Sequence, residues 1–164
     1  MLPCAMCQPF IYDNFLWQFV GTFICPYALY HSIKIMSEQT IRVLIVDDHS
    51  LVRKSIEKLL AREPDIEVVG TAENGRTAVQ LAQAKEPDVI IMDISMPELD
   101  GIRAAREIRA LGISAGIIML SMHHSSALVQ QARKNGASGY VIKQQATSEL
   151  IPLIRAIFAG TASL

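Results

Sequence analysis

From Ile41 onward the chain alternates short, almost continuously apolar runs with longer amphipathic segments. The runs read "IRVLIV", "IEVVG", "DVIIM", "GIIML" and "GYVI". They are rich in Val and Ile and lack polar alternation, the pattern of parallel strands covered on both faces. Helical spacing fills the intervals. After Ser50, residues Val52, Ile56, Leu59 and Leu60 fall on one face, and Pro64 closes the segment. After Asn74, a residue suited to cap a helix, Ala78, Leu81 and Ala82 point inward ahead of Pro87. A third helix is expected from Gly101 toward Gly112, a fourth ends at Asn135 and Gly136, and a fifth aligns Leu150, Ile151, Ile154, Ile157 and Phe158. Pro152 lacks a backbone donor, so it belongs in the first turn of that last helix or bends it.

Five strand–helix units in about 120 residues predict an α/β fold, a single open parallel sheet with helices on both sides, because right-handed crossovers leave few other arrangements. The 164 residues, 51% apolar and 19% charged, are enough to bury such a core in one domain. Lysine and arginine total 15 against 16 acids. With no basic excess to neutralise a phosphate backbone, direct nucleic-acid binding by this chain is not expected.

The first 35 residues break the pattern, with one lysine, one acid and most of the aromatics, as in "FLWQFVGTFICPYALY". The apolar run from Phe15 to Tyr30 is shorter than the roughly 20 residues of a spanning helix and contains Gln18, Gly21 and Pro26. A signal peptide would carry positive charge ahead of it, where only Asp13 stands. Met36, followed by polar "SEQT", reads as the natural start. The expected organisation is an apolar extension over residues 1–36, a domain over 37–160 and a tail or truncated linker over 161–164, with no membrane role. Cys4, Cys7 and Cys25 all fall in the extension, and "CAMC" has no second pair of ligands to complete a zinc site. The cysteine-free body reads as a cytoplasmic domain without disulfides.

Ligands of open α/β sheets bind beyond the carboxyl ends of the strands. The residues there are Asp47 and Asp48 after the first run, Asp93 after the third, Ser121 after the fourth and Lys143 after the fifth. Any one of them could be a satisfied polar residue at a strand end. Together, three acids need a cation to stay ionised. Hard oxygen ligands suit Mg²⁺, which commonly bridges carboxylates to a phosphoryl group. A carboxylate can also be the nucleophile in phosphoryl transfer, giving an aspartyl phosphate, with metal and lysine neutralising the transferring group.

The motifs "VDDH", "IIMDISMPELDG", "MLSMH" and "GASGYVIK", in this order, resemble the receiver domain of bacterial two-component response regulators over about residues 41–160. The resemblance implies the flavodoxin-like receiver fold, a doubly wound five-stranded parallel sheet with strand order 2-1-3-4-5. It implies that Asp93 is the phosphoacceptor for a sensor histidine kinase, and that Asp47, Asp48, Asp93 and the Ser95 backbone carbonyl hold Mg²⁺, Asp48 being favoured over Asp47 as direct ligand. Lys143 then pairs with the phosphoryl oxygens. Ser121 and Tyr140 are the switch hydroxyl and switch aromatic, and Met96, Pro97 and Gly101 belong to the loop after the acceptor, the glycine permitting a turn. Homodimers are implied through helix 4, strand 5 and helix 5, or through helices 1 and 5.

Gln144 follows Lys143 where many receivers have proline, which with "NGASGYVIK" is similar to the NarL/FixJ (LuxR-type) regulators. Such proteins continue into a helix-turn-helix domain, so this chain reads as the receiver part of a transcriptional regulator whose DNA-binding domain is absent from it. His123 and His124 read as solvated, His49 as a surface residue, and Arg103, Arg106 and Arg109 as a solvated helix face. A Mg²⁺-dependent phosphatase would want an acid two residues after the nucleophile, where Ser95 stands. A flavin or nucleotide binder would want Gly, Ser or Thr after strand one, where two acids stand. A receiver kept only for dimerisation would not need all five strand-end residues.

Overall fold

Each apolar run becomes a strand: β1 (Ile41–Val46), β2 (Ile66–Ala72), β3 (Val89–Asp93), β4 (Gly116–Ser121) and β5 (Gly139–Ile142). Between and after them lie α1 (Ser50–Leu60), α2 (Gly75–Lys85), α3 (Gly101–Ala110), α4 (Ser126–Lys134) and α5 (Ala146–Phe158), the last preceded by a 3₁₀ turn over Lys143–Gln145. The computed structural model describes residues 39–162 and 164. The apolar extension, its three cysteines and their zinc and membrane readings lie outside those residues. Among the described residues no helix is long and apolar enough to cross a membrane.

All strand pairs are parallel, in the order β2-β1-β3-β4-β5, so the expected topology is the one found. The absence of polar alternation in the strands follows from two cores. Leu44, Val46, Ile90, Met92, Ile117 and Met119 pack against Ala78, Ala82, Ile102, Ala105, Ile108 and Ala132 of α2, α3 and α4. The residues between them, Val43, Ile45, Ile91, Ile118 and Leu120, pack against Ile56 and Leu60 of α1 and Leu150 and Ile154 of α5. Nearly every position of the central strands β1, β3 and β4 is therefore buried whichever way it points, while the edge strand β2 exposes Glu67 and Thr71, and each large buried side chain contributes about 1.5–3 kcal/mol. Helix starts are fixed locally. The side chains of Asn74, Asp100 and Ser125 accept from the backbone N–H of Thr77, Arg103 and Leu128, caps worth about 1 kcal/mol each.

Three details depart from the periodicity. Pro152 stands in the interior of α5, not in its first turn. It is exposed, so the Ser148 carbonyl that loses its i+4 donor can turn to water. Phe158, aligned with the apolar stripe of α5, is 38% exposed because the helix ends there, beyond the edge of the core. Arg109 is not part of a solvated face. Its guanidinium donates to the Gly136 carbonyl from Nε and Nη2 (3.1 and 2.9 Å) and to the Ile113 carbonyl from Nη1 (2.8 Å), tying α3 to the loop before β5. Burial pushes its pKa below the ordinary arginine value. Arg103 and Arg106 remain exposed.

Candidate functional site

The strand order places β1 and β3 side by side at the centre of the sheet, and Val46 is in register with Met92. The next residues along, Asp47 and Asp93, therefore leave the sheet as neighbours. Ser121 closes β4, and Lys143 follows Ile142, which pairs with Ser121. Lys143, three strands from β1 and two from β3, reaches back across the end of the sheet. Its Nζ lies 2.7 Å from Asp47 Oδ2 and 2.9 Å from Asp93 Oδ2. The Lys143 side chain is 10% exposed, against 0% for Asp47 and 3% for Asp93.

The Asp47 contact is a buried ion pair in which Oδ2 has the Lys143 ammonium as its near partner. Its other oxygen, Oδ1, accepts from the backbone N–H of His49 at 2.8 Å. The Asp47 carbonyl accepts from the Arg53 guanidinium, so the turn from β1 into α1 is held at both ends of one residue. Asp48 is half-buried, and His49 Nδ1 lies 2.6 Å from its Oδ1.

Burial is the main force on Asp93 and raises its carboxyl pKa, with the neighbouring Asp47 adding to it; Lys143 and the Ser95 N–H pull the other way without cancelling it. For Lys143 burial works against the charge, but pairing with Asp47 and Asp93 outweighs it and the ammonium pKa is raised. Donor atoms of Asp47, Asp48, His49 and Asp93 all lie within 4.8 Å of one another. Three carboxylates against one ammonium leave an excess of two negative charges, which a divalent cation matches. The buried Asp47 Oδ2 already has the Lys143 ammonium at 2.7 Å, so a cation would share this carboxylate with Lys143.

Ser121 is 7% exposed, and its hydroxyl turns into its own loop, donating to the His123 carbonyl at 2.9 Å. The Tyr140 hydroxyl donates to the same carbonyl, also at 2.9 Å. The two hydroxyls expected to form a switch thus share one acceptor, and the His124 ring stands edge-on to Tyr140 with centroids 6.5 Å apart. Gly101 serves the site for a reason other than a permissive turn. A Cβ there would lie 2.0 Å from the Asp93 carbonyl oxygen, so the start of α3 can pack under Asp93 only without a side chain. Met96 is buried beneath the loop and Pro97 is exposed.

Sequence reasoning missed two contributors. His49 is at the surface as expected, its side chain 67% exposed, and what the sequence does not give is that Nδ1 is turned onto the acidic pair. Its position directly after two acids and before a helix was the available signal. The His123 carbonyl carries no side-chain signal at all.

Residues 43–155 match the family described as the response regulator receiver domain. The transcriptional regulatory protein DegU of Brevibacillus brevis is 37% identical over 127 residues, 77% of this chain and 54% of that protein. The chain therefore spans about half the length of that curated relative. A LuxR-family two-component response regulator from Aurantimonas sp. SI85-9A1 superimposes with a TM-score of 0.72 at 38% identity, covering 76% of this chain and 89% of that one. The CheX–CheY–BeF₃–Mg²⁺ complex from Borrelia burgdorferi gives 0.70 at 25% identity, covering 76% of this chain and 93% of the matched chain. With the sheet order, the strand-end acids and the bridging lysine already in place, these similarities lead to one conclusion: the chain belongs to the response regulator receiver family, the phosphoacceptor domains of two-component signalling.

Proposed function

We propose that Asp93 is the phosphoacceptor of this receiver, with residues 37–160 as the functional unit. The observation that carries the reading is the lysine bridge: one buried ammonium within 3 Å of both Asp47 and Asp93, at the end of the central strands. In this reading an Asp93 carboxylate oxygen attacks the phosphorus of a phosphohistidine on a sensor histidine kinase. The P–O bond to Asp93 forms as the P–N bond breaks, and the imidazole departs with the electron pair of that bond. Lys143 holds a positive charge where the phosphoryl oxygens arrive, and the low exposure of the nest makes that charge count for more than it would in water.

Asp47, Asp48, Asp93 and the Ser95 carbonyl would hold Mg²⁺, an ion also named in the Borrelia complex. When bound, it supplies neutralisation of the phosphoryl oxygens and of the excess acid charge. New charge on Asp93 offers Ser121 a stronger acceptor than the His123 carbonyl. If Ser121 leaves, that carbonyl keeps only Tyr140, and the loop between β4 and α4 is free to repack around the aromatic.

An apolar groove of about 360 Å³ beside Lys143, lined by Leu51, Val52, Leu59, Met122 and Ala146, gives the kinase a surface to approach. Leu51 is 78% and Met122 55% exposed, which suits a docking rim. Partners would read the α4–β5–α5 surface, and a homodimer would form there or through α1 and α5. The relatives favour a transcriptional regulator as the whole protein, and we place it in the cytoplasm. Incubation with acetyl phosphate and Mg²⁺ should add a single phosphate by intact-mass spectrometry. Equal labelling of Asp93→Asn overturns the assignment.

A further inference from the structure

We propose that Arg53 is a positioning residue for the divalent-cation site: by holding the Asp47 carbonyl it sets the direction in which Asp48 leaves the chain, and with it the affinity of the acid pair for Mg²⁺. The inference rests on the reading that Asp47, Asp48 and Asp93 hold that ion.

Arg53 stands near the start of α1 and is partly buried. Its backbone N–H donates to the His49 carbonyl at 3.1 Å, and its side chain turns back past the helix start to donate from Nη1 to the Asp47 carbonyl. Among the described residues the guanidinium forms no ion pair, although Glu73 lines the same small cavity together with Thr71 and Thr77. An arginine that meets a backbone oxygen in preference to a neighbouring carboxylate is fixing backbone, not balancing charge. A hydrogen bond from a charged donor is also stronger than a neutral one.

The Asp47 carbonyl belongs to the peptide unit that carries Asp48. That unit is planar, so the direction of the carbonyl fixes the plane from which the Asp48 Cα departs. The other polar atoms of Asp47 are engaged already. Its N–H donates to the Ala72 carbonyl at 3.2 Å, Oδ1 accepts from the His49 N–H at 2.8 Å, and Oδ2 faces Lys143 at 2.7 Å. The Asp48 side chain, in contrast, is 27% exposed and meets a His49 ring that is mostly in water. Arg53 supplies the restraint on Asp48 that its own surroundings do not. Without it the peptide plane gains freedom, and binding one ion through both acids costs the entropy of ordering that plane. Charge alone gives the opposite sign: removing a cation from beside three carboxylates raises their affinity for Mg²⁺.

The test is calorimetric titration of the full chain with Mg²⁺ in wild type, Arg53→Met and Arg53→Lys. Methionine keeps an apolar stem and removes both donor and charge; lysine keeps a charged donor. The expected result is about tenfold weaker Mg²⁺ binding in Arg53→Met, a size typical when a group that orients a metal ligand is lost. Arg53→Lys should recover at least half of that loss on a logarithmic scale. Hydrogen exchange in EDTA gives a second readout without metal: the His49 amide should exchange faster in Arg53→Met, while the amides of β4 keep their protection. Unchanged or tighter Mg²⁺ binding in Arg53→Met overturns the Arg53 proposal and leaves the acidic site standing. Protection lost evenly across β4, or a variant that does not fold, makes Arg53 a support of the whole fold and overturns the proposal as well. Failure of the wild type to bind Mg²⁺ overturns both this proposal and the reading on which it rests.

Discussion

Replacing Lys143 with alanine exposes the electrostatics on which the site depends. The ammonium is 2.7 and 2.9 Å from two carboxylates whose side chains are 0% and 3% exposed, and without it those acids face one another across no more than 4.8 Å. At an effective dielectric constant of about 20, two like charges at that separation repel by about 3.5 kcal/mol. Protonation of Asp93, whose pKa burial already raises, relieves part of this. The net cost should be about 2–4 kcal/mol at neutral pH, somewhat below the roughly 3–5 kcal/mol typical when one partner of a buried pair is removed, because Asp93 can take up a proton. Urea denaturation in EDTA measures it directly.

The pH dependence has a definite sign. Asp93 binds its proton more tightly folded than unfolded, so ionising it lowers stability as pH rises through its folded pKa. Loss of Lys143 raises that pKa further. The deficit of the alanine variant should therefore be largest at neutral pH and above, and shrink as pH falls toward the ordinary aspartate range. Asp93→Asn in the Lys143→Ala background should recover about half the loss, because one of the two repelling charges is gone. A Lys143→Ala deficit below about 1 kcal/mol at pH 7 in EDTA, or simple additivity in the double mutant, would refute the reasoning.

Gly101→Ala puts a methyl group 2.0 Å from the Asp93 carbonyl oxygen and endangers the Gly101 N–H bond to the Ile94 carbonyl, so denaturation should show a loss of about 2–4 kcal/mol. The same variant should bind Mg²⁺ more weakly in calorimetry, since Asp93 must shift. Arg109→Ala leaves the Gly136 and Ile113 carbonyls without their donors and should cost about 2 kcal/mol. Arg109→Lys should restore less than half of that, because an ammonium lacks the planar fork, and amide exchange in the loop around Gly136 should speed up in both. The Asp65 carboxyl is held below the usual range by Arg155, so its contribution is present at neutral pH and fades as pH falls through the folded pKa. Because that pair is exposed, Asp65→Asn should lower the unfolding free energy measured in urea by less than about 1 kcal/mol at pH 7, and by less again near pH 3.

Much of this architecture was legible because its causes are local. Continuous Val- and Ile-rich runs mark strands buried on both faces, and Asn74, Asn135 and Gly136 mark helix ends through their own backbone and side-chain chemistry. Five such units predict an open parallel sheet, and the strand order implied by the receiver resemblance, found in the structure, brings Asp47 and Asp93 to adjacent strand ends. Where reach or close approach mattered, spacing along the chain was silent. Arg109 sits at a helical interval from Arg103 and Arg106 and looks like them; only the loop at Gly136, 27 residues later, makes it a tie. Pro152 is tolerated in the interior of α5 because that position faces solvent, a property of how the helix rolls on the sheet.

The chain itself determined the strands, the open parallel sheet, the identity of the acidic residues and the lysine that meets them, because hydrophobic period and strand-end chemistry are encoded within a few residues of each position, while the strand order followed from the resemblance carried by the motifs. Tertiary structure alone decided that a single His123 carbonyl serves both Ser121 and Tyr140, that Gly101 must lack a side chain because Asp93 lies against it, and that His49 turns toward the acids instead of away. Those outcomes depend on distances between segments remote in sequence or on the rotation of one side chain, and neither leaves a periodic trace.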